Sequence, residues 1–188
     1  MTRKGWSILI LIIAVVVVFF GIFVSQYNKV ISMNEAVKAQ WAQVETQLKR
    51  RFDLIPNLVE TVKGYAKHEK DIFEHLADAR KAYFQAKSVA EKARAAGELE
   101  GALSRLLLLQ ERYPELKANE SFLKLQDSLE GTENRIAVER KRYNDRVREL
   151  NTYIKSFFGR FFAMWVGVGP AEYFKVPEAQ RAVPKVKF

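Results

Sequence analysis

The first 24 residues constrain the possible fold of this chain more than any other feature. After a short basic N-terminus, an uncharged apolar run extends from Trp6 to Val24. At about 1.5 Å per helical residue, these 19 residues extend for about 28 Å, close to the hydrocarbon thickness of a bilayer. Trp6 and Tyr27 bracket the run as interfacial aromatic residues do, and a single Gly21 is tolerated in a membrane helix. The sequence therefore predicts a membrane-spanning helix, with residues 1–28 as the anchor region.

A cleaved signal peptide is the alternative to a retained span. The basic N-terminus suits both, but the apolar run is longer than a usual signal-peptide core, and no small-residue cleavage site follows it. Ser25 is small, whereas its neighbours Val24, Gln26 and Tyr27 are not. A retained anchor is therefore the prediction.

Basic residues on the two flanks of the span bear on its orientation. Arg3 and Lys4 lie on the short side, and Lys29 and Lys38 lie on the other. The two counts are equal, so the free amino terminus and the shorter distance of Arg3 and Lys4 from the span favour a cytoplasmic N-terminus. We therefore expect a single-pass protein of the bacterial inner (cell) membrane whose bulk domain lies outside the cytoplasm.

The length and composition of the remaining residues predict one helical domain. Residues 29–188 keep 29 basic and all 22 acidic side chains, a net charge of +7, which suits anionic lipid headgroups or merely solubility. The absence of Cys excludes disulfides, thiolate metal sites and cysteine nucleophiles. Of nine Gly, five lie in the anchor region or the last 30 residues, so long helices are expected in between.

Apolar spacing predicts the first two helices of the domain. A stripe at spacings of three and four residues predicts a helix that continues directly from the span. Its members are Val37, Trp41, Val44, Leu48 and Phe52. Pro56 is expected to end this helix and to open a second one that reaches about residue 90, with Asp53 as its N-cap and Gly64 at a close backbone approach.

Two predicted interruptions separate the next helices. Residues 88–101 are rich in Ala, Glu, Lys and Arg and form the expected hairpin, with Gly97 as the breaker. A third helix is expected over residues 98–112, and residues 113–119 interrupt the chain again. Asn119 is expected to be the N-cap of the last helix.

The last helix has the strongest pattern in the chain. Apolar residues occupy the a and d positions of about five heptads if Thr132 and Arg140 fill two gaps. They are Phe122, Leu125, Leu129, Ile136, Tyr143, Val147, Leu150, Ile154 and Phe157. Such a stripe is either a bundle core or the seam of a dimeric coiled coil, and three such helices in one domain favour the core. The predicted fold class is all-α, with a long antiparallel bundle of three to four helices over residues 29–157.

Residues 158–188 are expected to form an aromatic-rich, irregular C-terminal tail. Six large apolar residues crowd into the segment Phe157–Trp165, which is more than one helix face buries. The segment either packs on the bundle or enters a bilayer or a neighbouring subunit. We expect Phe161, Phe162 and Trp165 to be the interaction residues.

Several stretches of the sequence resemble the LemA family. They are RRFDLIPNLVETVKGYA at 50–66, YPELKANE at 113–120, TEN at 132–134, YN at 143–144, NTY at 151–153 and the closing PKVKF. The resemblance covers residues 25–188, and an N-terminal anchor is typical of the family as well. One departure is the segment 158–166, which is bulkier and more aromatic than the family's pattern.

The resemblance to the LemA family implies a membrane-anchored, all-helical domain built on a long antiparallel bundle. It implies no established enzymatic activity, cofactor or catalytic residue. It also implies a short N-terminus outside the cell, opposite to the orientation that the flanking charges favour, so both topologies stay open.

No motif in the chain predicts catalysis. His68, Asp71 and His75 share one face of the second predicted helix and could offer three ligands to a divalent cation. Two histidines on a charged helix are more commonly solvated, and His68-Glu69 does not continue as a zinc-protease motif. Basic residues are interleaved with acidic ones, as on solvated helix faces rather than nucleic-acid sites. We expect no enzymatic activity, no cofactor, no metal and no nucleic-acid partner.

Six polar residues of the family-like stretches are expected to form a structural network. They are Arg51, Asp53, Asn57, Asn119, Asn144 and Asn151. The first two could pair across a helix turn, and the next two stand at predicted helix starts. The last two are one heptad apart beside the final stripe, where buried Asn fixes helix register. The alternative is a polar groove that receives a partner segment.

These patterns favour a membrane-anchored, non-enzymatic scaffold or adaptor that acts through self-assembly and protein contacts. Its expected partners are membrane lipid, further copies of the same chain and another membrane protein. The alternative is a membrane-remodelling or lipid-sensing protein that uses Phe157–Trp165 as a second membrane contact, which a different bilayer could supply.

Overall fold

Helices make up most of the chain. The structure, a computed structural model, describes residues 3–175, and no strand occurs in that range. The helices are α1 (Arg3–Lys63), α2 (Lys70–Gln85), α3 (Val89–Leu107), α4 (Pro114–Lys117), α5 (Glu120–Lys155) and α6 (Phe157–Val166), with a 3-10 turn at Leu108–Glu111. The all-α fold class is confirmed.

The chain forms two compact units. The first comprises Met1–Ala39 and Asp145–Ala171, and the second comprises Gln40–Asn144 and Glu172–Phe188. The long helices α1 and α5 each contribute to both units. Each unit has buried apolar residues of its own.

The second unit is a helical bundle in which α1 and α5 run antiparallel. Gln40 Nε2 donates to Glu139 Oε2 at 2.5 Å, and Asn119 Nδ2 donates to the Tyr65 hydroxyl at 2.9 Å. Residue numbers therefore rise along α1 as they fall along α5. A link of three residues makes α2 and α3 antiparallel neighbours. The largest fully buried side chains of this unit are Leu48, Phe52, Leu58, Leu76, Leu99, Leu103, Leu106, Leu109, Leu116, Phe122 and Tyr143.

Pro56 does not break α1, so the prediction of a new helix there is wrong. Proline removes one backbone donor and disfavours a helix interior. Its side chain is exposed here, whereas Phe52 and Leu58 on the inner face are completely buried. Burial of that face keeps the helix continuous through the proline. Asp53 is consequently not an N-cap, and its carboxylate lies 2.6 Å from Lys49 Nζ on the exposed face.

The turn between α2 and α3 lies at residues 86–88, not at Gly97. Ser88 Oγ accepts from the Glu91 backbone N–H, and the Glu91 carboxylate accepts from the Ser88 N–H, each at 3.1 Å. This capping box satisfies backbone donors that a helix start leaves unpaired. The helix then continues through Gly97 because its apolar neighbours, including Leu99, are buried in the core.

Gly64 lies just after the end of α1 and not inside a helix. A Cβ placed there would meet only the Thr61 carbonyl oxygen at 3.5 Å, which is ordinary van der Waals contact. The predicted close backbone approach at Gly64 is therefore wrong. The chain turns between Gly64 and Glu69, where the Tyr65 and Ala66 N–H groups both donate to Val62 O at 2.9 Å.

The aromatic segment, predicted to be irregular, begins with a helix of ten residues, α6. Ser156 Oγ accepts from the Gly159 N–H at 3.2 Å and caps its start, and Gly167 ends it at a φ of 75°. Gly159 is required sterically, because a Cβ there would lie 1.9 Å from Tyr153 O. The prediction of irregular structure fails because aromatic crowding does not oppose a helix that is capped at both ends. Residues 176–188 of the predicted tail lie outside the described range.

Candidate membrane-contact site

The N-terminal part of α1 is long and apolar enough to cross a membrane, by length and composition. From Leu9 to Val24 every side chain except that of Phe23 is exposed. The residues predicted to mark this span, Trp6, Gly21 and Val24, all lie on its exposed surface. Apart from Phe23, the apolar side chains from Leu9 to Val24 are thus open to the surroundings, as expected of a helix that a bilayer surrounds.

Helix α6 packs on α1 at the C-terminal end of this span. In the first unit, Val30, Phe162 and Ala163 form a small buried cluster. The rings of Phe162 and Trp165 meet Phe23 edge-on, with centroids 5.0 and 5.4 Å away. Phe23, the one side chain between Leu9 and Val24 that is not exposed, is therefore the one against which α6 packs.

Polar contacts between α5 and α1 lie beside that cluster. The Tyr153 hydroxyl donates to Gln26 Oε1 at 2.5 Å, and Lys29 Nζ lies 4.7 Å from the centre of the Tyr153 ring. Burial raises the pKa of the Tyr153 phenol, so the hydroxyl stays protonated and remains a donor at neutral pH.

The outer face of α6 is apolar and exposed. It carries Phe157, Phe158, Met164 and Trp165, which are 87, 67, 75 and 66% exposed. Arg160 is the only charged residue of the helix. We call these four apolar side chains the outer face of α6. Contiguous exposed apolar side chains of this size are typical of surfaces that meet a membrane or a protein.

The three predicted interaction residues divide between the two faces of α6. Trp165 belongs to the outer face, and Phe161 is half-exposed and stacks on it with ring centroids 6.2 Å apart. Phe162 is only 5% exposed and lies in the buried cluster, so it is a packing residue and not a contact residue. Sequence reasoning missed Phe158 and Met164 as better candidates, because the crowded aromatic pattern has no clear helical period. It also placed Phe157 at the end of the buried α5 stripe, which is wrong because Phe157 begins α6 and is 87% exposed.

Arg51 is the centre of a polar contact in the second unit. Its guanidinium donates to Glu100 on α3 and to Glu133 on α5. The Arg51 side chain is buried, whereas both carboxylates remain partly solvated. The predicted pair between Arg51 and Asp53 is wrong, because Asp53 lies on the exposed side of α1. Neither glutamate was identified from sequence, although Glu133 lies within the family-like TEN stretch.

Of the two asparagines predicted at helix starts, only Asn119 is at one. Its Oδ1 accepts from the Phe122 N–H at 2.9 Å, which confirms the predicted N-cap of α5. Its amide also donates to the Tyr65 hydroxyl. Asn57 lies within α1 with an exposed side chain, so its predicted role is wrong for the same reason as the break at Pro56.

Asn144 and Asn151 bind the backbone of the segment that follows α6. In the second unit, Asn144 Nδ2 donates to Phe174 O at 3.0 Å, and its Oδ1 accepts from the Phe174 N–H at 2.9 Å. In the first unit, Asn151 makes the same pair of bonds with Ala171, at 2.9 and 2.8 Å. Each amide therefore holds one residue of the tail, which replaces the predicted role of fixing the register between helices.

Tyr143 adds a further bond to the tail within the second unit. Its hydroxyl donates to Glu172 O at 2.7 Å, and Trp41 packs against both Tyr143 and Phe174. Burial, and to a lesser extent the charge of Glu172, raises the pKa of Tyr143 to about 12. The hydroxyl is therefore a donor throughout the physiological pH range.

The two histidines do not lie on one helix face. His68 precedes α2, whereas Asp71 and His75 lie within it. Among residues 3–175 no group of three or more His, Asp or Glu side chains is arranged to hold a metal ion. The geometry that the sequence suggested for three ligands is therefore absent from the described residues.

Comparison with known proteins matches most of the chain to one family. The LemA family model matches residues 40–188. The chain is 26% identical to magnetosome protein MamQ 2 of Paramagnetospirillum magneticum over 195 residues, which cover 90% of this chain and 72% of that protein. It is 29% identical to magnetosome protein MamQ of Magnetospirillum gryphiswaldense over 184 residues, which cover 84% and 68% of the two chains.

These similarities and the apolar part of α1 point to a membrane-associated protein of a non-enzymatic type. The match extends over the bundle helices and the segment held by Asn144 and Asn151. The chain belongs to the LemA family.

Proposed function

We propose that this protein is a membrane-anchored scaffold or adaptor of the LemA type, which acts through helix-mediated self-assembly and protein contacts at the membrane. The observation that carries the proposal is the continuity of α1. One helix of 61 residues contains both the apolar span and the buried stripe from Val44 to Val62. A single element thus joins membrane attachment to the display of a folded helical surface.

The relatives support a role in an assembly. Those compared above are named magnetosome proteins. By analogy, this chain is a component of a membrane-associated assembly, with further copies of itself and another membrane protein as partners. It is a single-pass protein of the bacterial inner (cell) membrane, and the flanking charges favour a bulk domain outside the cytoplasm.

Light scattering and electron microscopy of the full-length protein in mild detergent test self-assembly. The expected result is a large, discrete particle whose mass holds over a range of dilutions. A monomer at every concentration would contradict self-assembly and leave contacts with other proteins to be sought by cross-linking.

The orientation is tested separately by replacing the exposed Ser121 with Cys in this cysteine-free chain and labelling intact cells with an impermeant maleimide. Labelling is expected for an extracytoplasmic domain.

A second candidate function, membrane remodelling or lipid sensing, is favoured by the outer face of α6. Its test is the shape of vesicles that contain the full-length protein, viewed by electron cryomicroscopy. Deformed vesicles are expected for the native chain and round ones for a variant with Ser in place of Phe157, Phe158 and Met164. Equal shapes for both chains would remove this candidate. The comparison needs the full chain, because Phe23 of the span is part of the packing site of α6.

A further inference from the structure

The position of α6 along α1 places it near one end of the apolar span. The buried cluster and its partly buried neighbours involve Phe23, Tyr27 and Val30 of α1. The uncharged run ends at Val24, so Phe23 is still within it, while Val30 is six residues beyond it. Helix α6 therefore packs across the boundary between apolar and polar sequence.

The rise per residue of a helix gives the depth of this boundary in the bilayer. From Phe23 to Tyr27 the axis advances about 6 Å, which is close to the thickness of one headgroup layer, about 5–7 Å. The polar contacts at that level are those of an interface: the Gln26–Tyr153 hydrogen bond and the Lys29–Tyr153 cation–π contact. Tyrosine and tryptophan are enriched at this depth in membrane proteins.

The outer face of α6 has the composition of an interfacial helix. Phe157, Phe158 and Met164 are exposed apolar side chains, and Trp165 lies beside them. Arg160 is the only charge, and its long side chain can keep the guanidinium in water while its stem lies along apolar surface. Helices that lie in the headgroup–acyl boundary combine these features.

The charge around α6 is exclusively basic in sequence. No acidic residue occurs in residues 1–34 or in residues 150–171. Lys29, Lys155 and Arg160 are exposed within these two stretches. Each basic residue near a surface of anionic lipid is stabilised by its negative potential, which falls off within about a Debye length.

We propose that α6 lies in the headgroup–acyl boundary of the same leaflet that receives the C-terminal end of the α1 span, with anionic phospholipid as its partner. The inference rests on the membrane anchoring proposed above, and it deepens the lipid-contact candidate by naming the bilayer and the lipid class. The outer face of α6 meets acyl chains, and Lys29, Lys155 and Arg160 meet anionic headgroups. The span and α6 together form two contacts of one chain with one leaflet.

Single-cysteine reporters test the location of α6, since the natural chain contains no Cys. Phe158→Cys and Met164→Cys report on the outer face, and Leu108→Cys is the matched control, because Leu108 is an equally exposed apolar residue in the second unit. Each full-length variant carries a fluorophore and is placed, one copy per disc, in nanodiscs that contain phosphatidylglycerol. Quenching by a lipid spin-labelled near the headgroup is compared with quenching by aqueous iodide.

Labels at 158 and 164 are expected to be quenched several-fold more strongly by the spin-labelled lipid than the label at 108, and several-fold less by iodide. Charge reversal by Lys155→Glu and Arg160→Glu is expected to weaken lipid quenching in discs that contain phosphatidylglycerol, with no such change in neutral discs. Circular dichroism and thermal unfolding establish that each variant keeps its helices.

Three results would overturn the inference. If the labels at 158 and 164 in single-copy discs were quenched to the same extent as the label at 108, α6 would lie in water. Protection that requires two copies per disc would assign the outer face to a second copy. Protection that arises only when separate vesicles are added would assign it to another bilayer, and this result would leave lipid contact as a function while removing the same-leaflet location.

Discussion

The buried guanidinium of Arg51 donates to the carboxylate of Glu133, 82 residues away in sequence, and so joins α1 to α5. The same group donates to Glu100, which adds α3 to the contact. Arg51 is only 7% exposed, and burying a cation costs free energy unless the cation is paired. Two partly solvated carboxylates, from two other helices, pair with it.

Replacing Arg51 by Met is expected to lower the free energy of unfolding by about 2–3 kcal/mol. The Met keeps the apolar stem of the side chain but leaves Glu100 and Glu133 without their cation. Thermal unfolding of the full-length chain in mild detergent measures the loss. The control is Lys49→Met on the same helix, whose exposed pair with Asp53 is expected to contribute less than about 0.5 kcal/mol. Equal losses in the two variants would contradict the structural role of Arg51.

Replacing Asn144 by Ala is expected to release the segment around Phe174 from α5. Two hydrogen bonds to the Phe174 backbone are lost, at a cost of about 1–3 kcal/mol. Hydrogen exchange of the Phe174 amide should accelerate by about an order of magnitude or more. Asn134→Ala, an exposed site on the same helix, is the control and should leave that amide unchanged. Unchanged exchange in both variants would show that other contacts hold the segment.

The contribution of Tyr143 to stability is expected to disappear in alkali. Its pKa is about 12 in the folded chain against about 10 for an exposed tyrosine, so the folded state keeps the proton where the unfolded state loses it. By linkage, the stabilisation is complete below pH 10 and is lost as pH rises toward 12. The measurement is the difference in unfolding free energy between the native chain and Tyr143→Phe from pH 8 to 12, in which the other titrations cancel. A difference that does not change with pH would contradict this prediction.

Two glycine replacements are expected to have opposite effects. Gly159→Ala places a Cβ 1.9 Å from Tyr153 O, so α6 must shift, and a loss of about 1–3 kcal/mol is expected. Gly101→Ala in α3 meets no atom within 4 Å and should stabilise the chain by about 0.5–1 kcal/mol. Both are measured by thermal unfolding of the full-length protein. Equal effects of the two replacements would contradict the close approach at Gly159.

Periodic burial was predictable from the sequence, and helix ends were less so. The stripe residues Val44, Leu48 and Phe52 are buried as their spacing indicates, and the buried Thr132 fills a gap in the α5 stripe as expected. The local preference of Pro56 predicts a helix break, but burial of the opposite helix face outweighs that preference. At the α2–α3 turn, the Ser88–Glu91 capping pattern marks the helix start, whereas Gly97 lies within the helix.

The polar network and the contact site were harder to predict, for a different reason. The partners of Arg51 lie 49 and 82 residues away, so they follow from tertiary packing and not from local spacing. The burial of Phe162 likewise depends on Phe23, which lies in a segment whose apolar character alone indicated only a membrane span. An aromatic-rich segment predicts a contact surface, but only the packing of the segment on α1 shows which of its side chains remain exposed.

The antiparallel pairing of α1 and α5 has a consequence for synthesis of the chain. The ribosome completes the inner face of α1 long before it makes the residues of α5 that cover this face. At about 5–20 residues per second, the 82 residues between Arg51 and Glu133 take about 4–16 s. During that interval Leu48, Phe52 and Leu58 must be shielded by the early hairpin of α2 and α3 or by a chaperone. The nascent chain is therefore most vulnerable to aggregation between the emergence of α1 and that of α5.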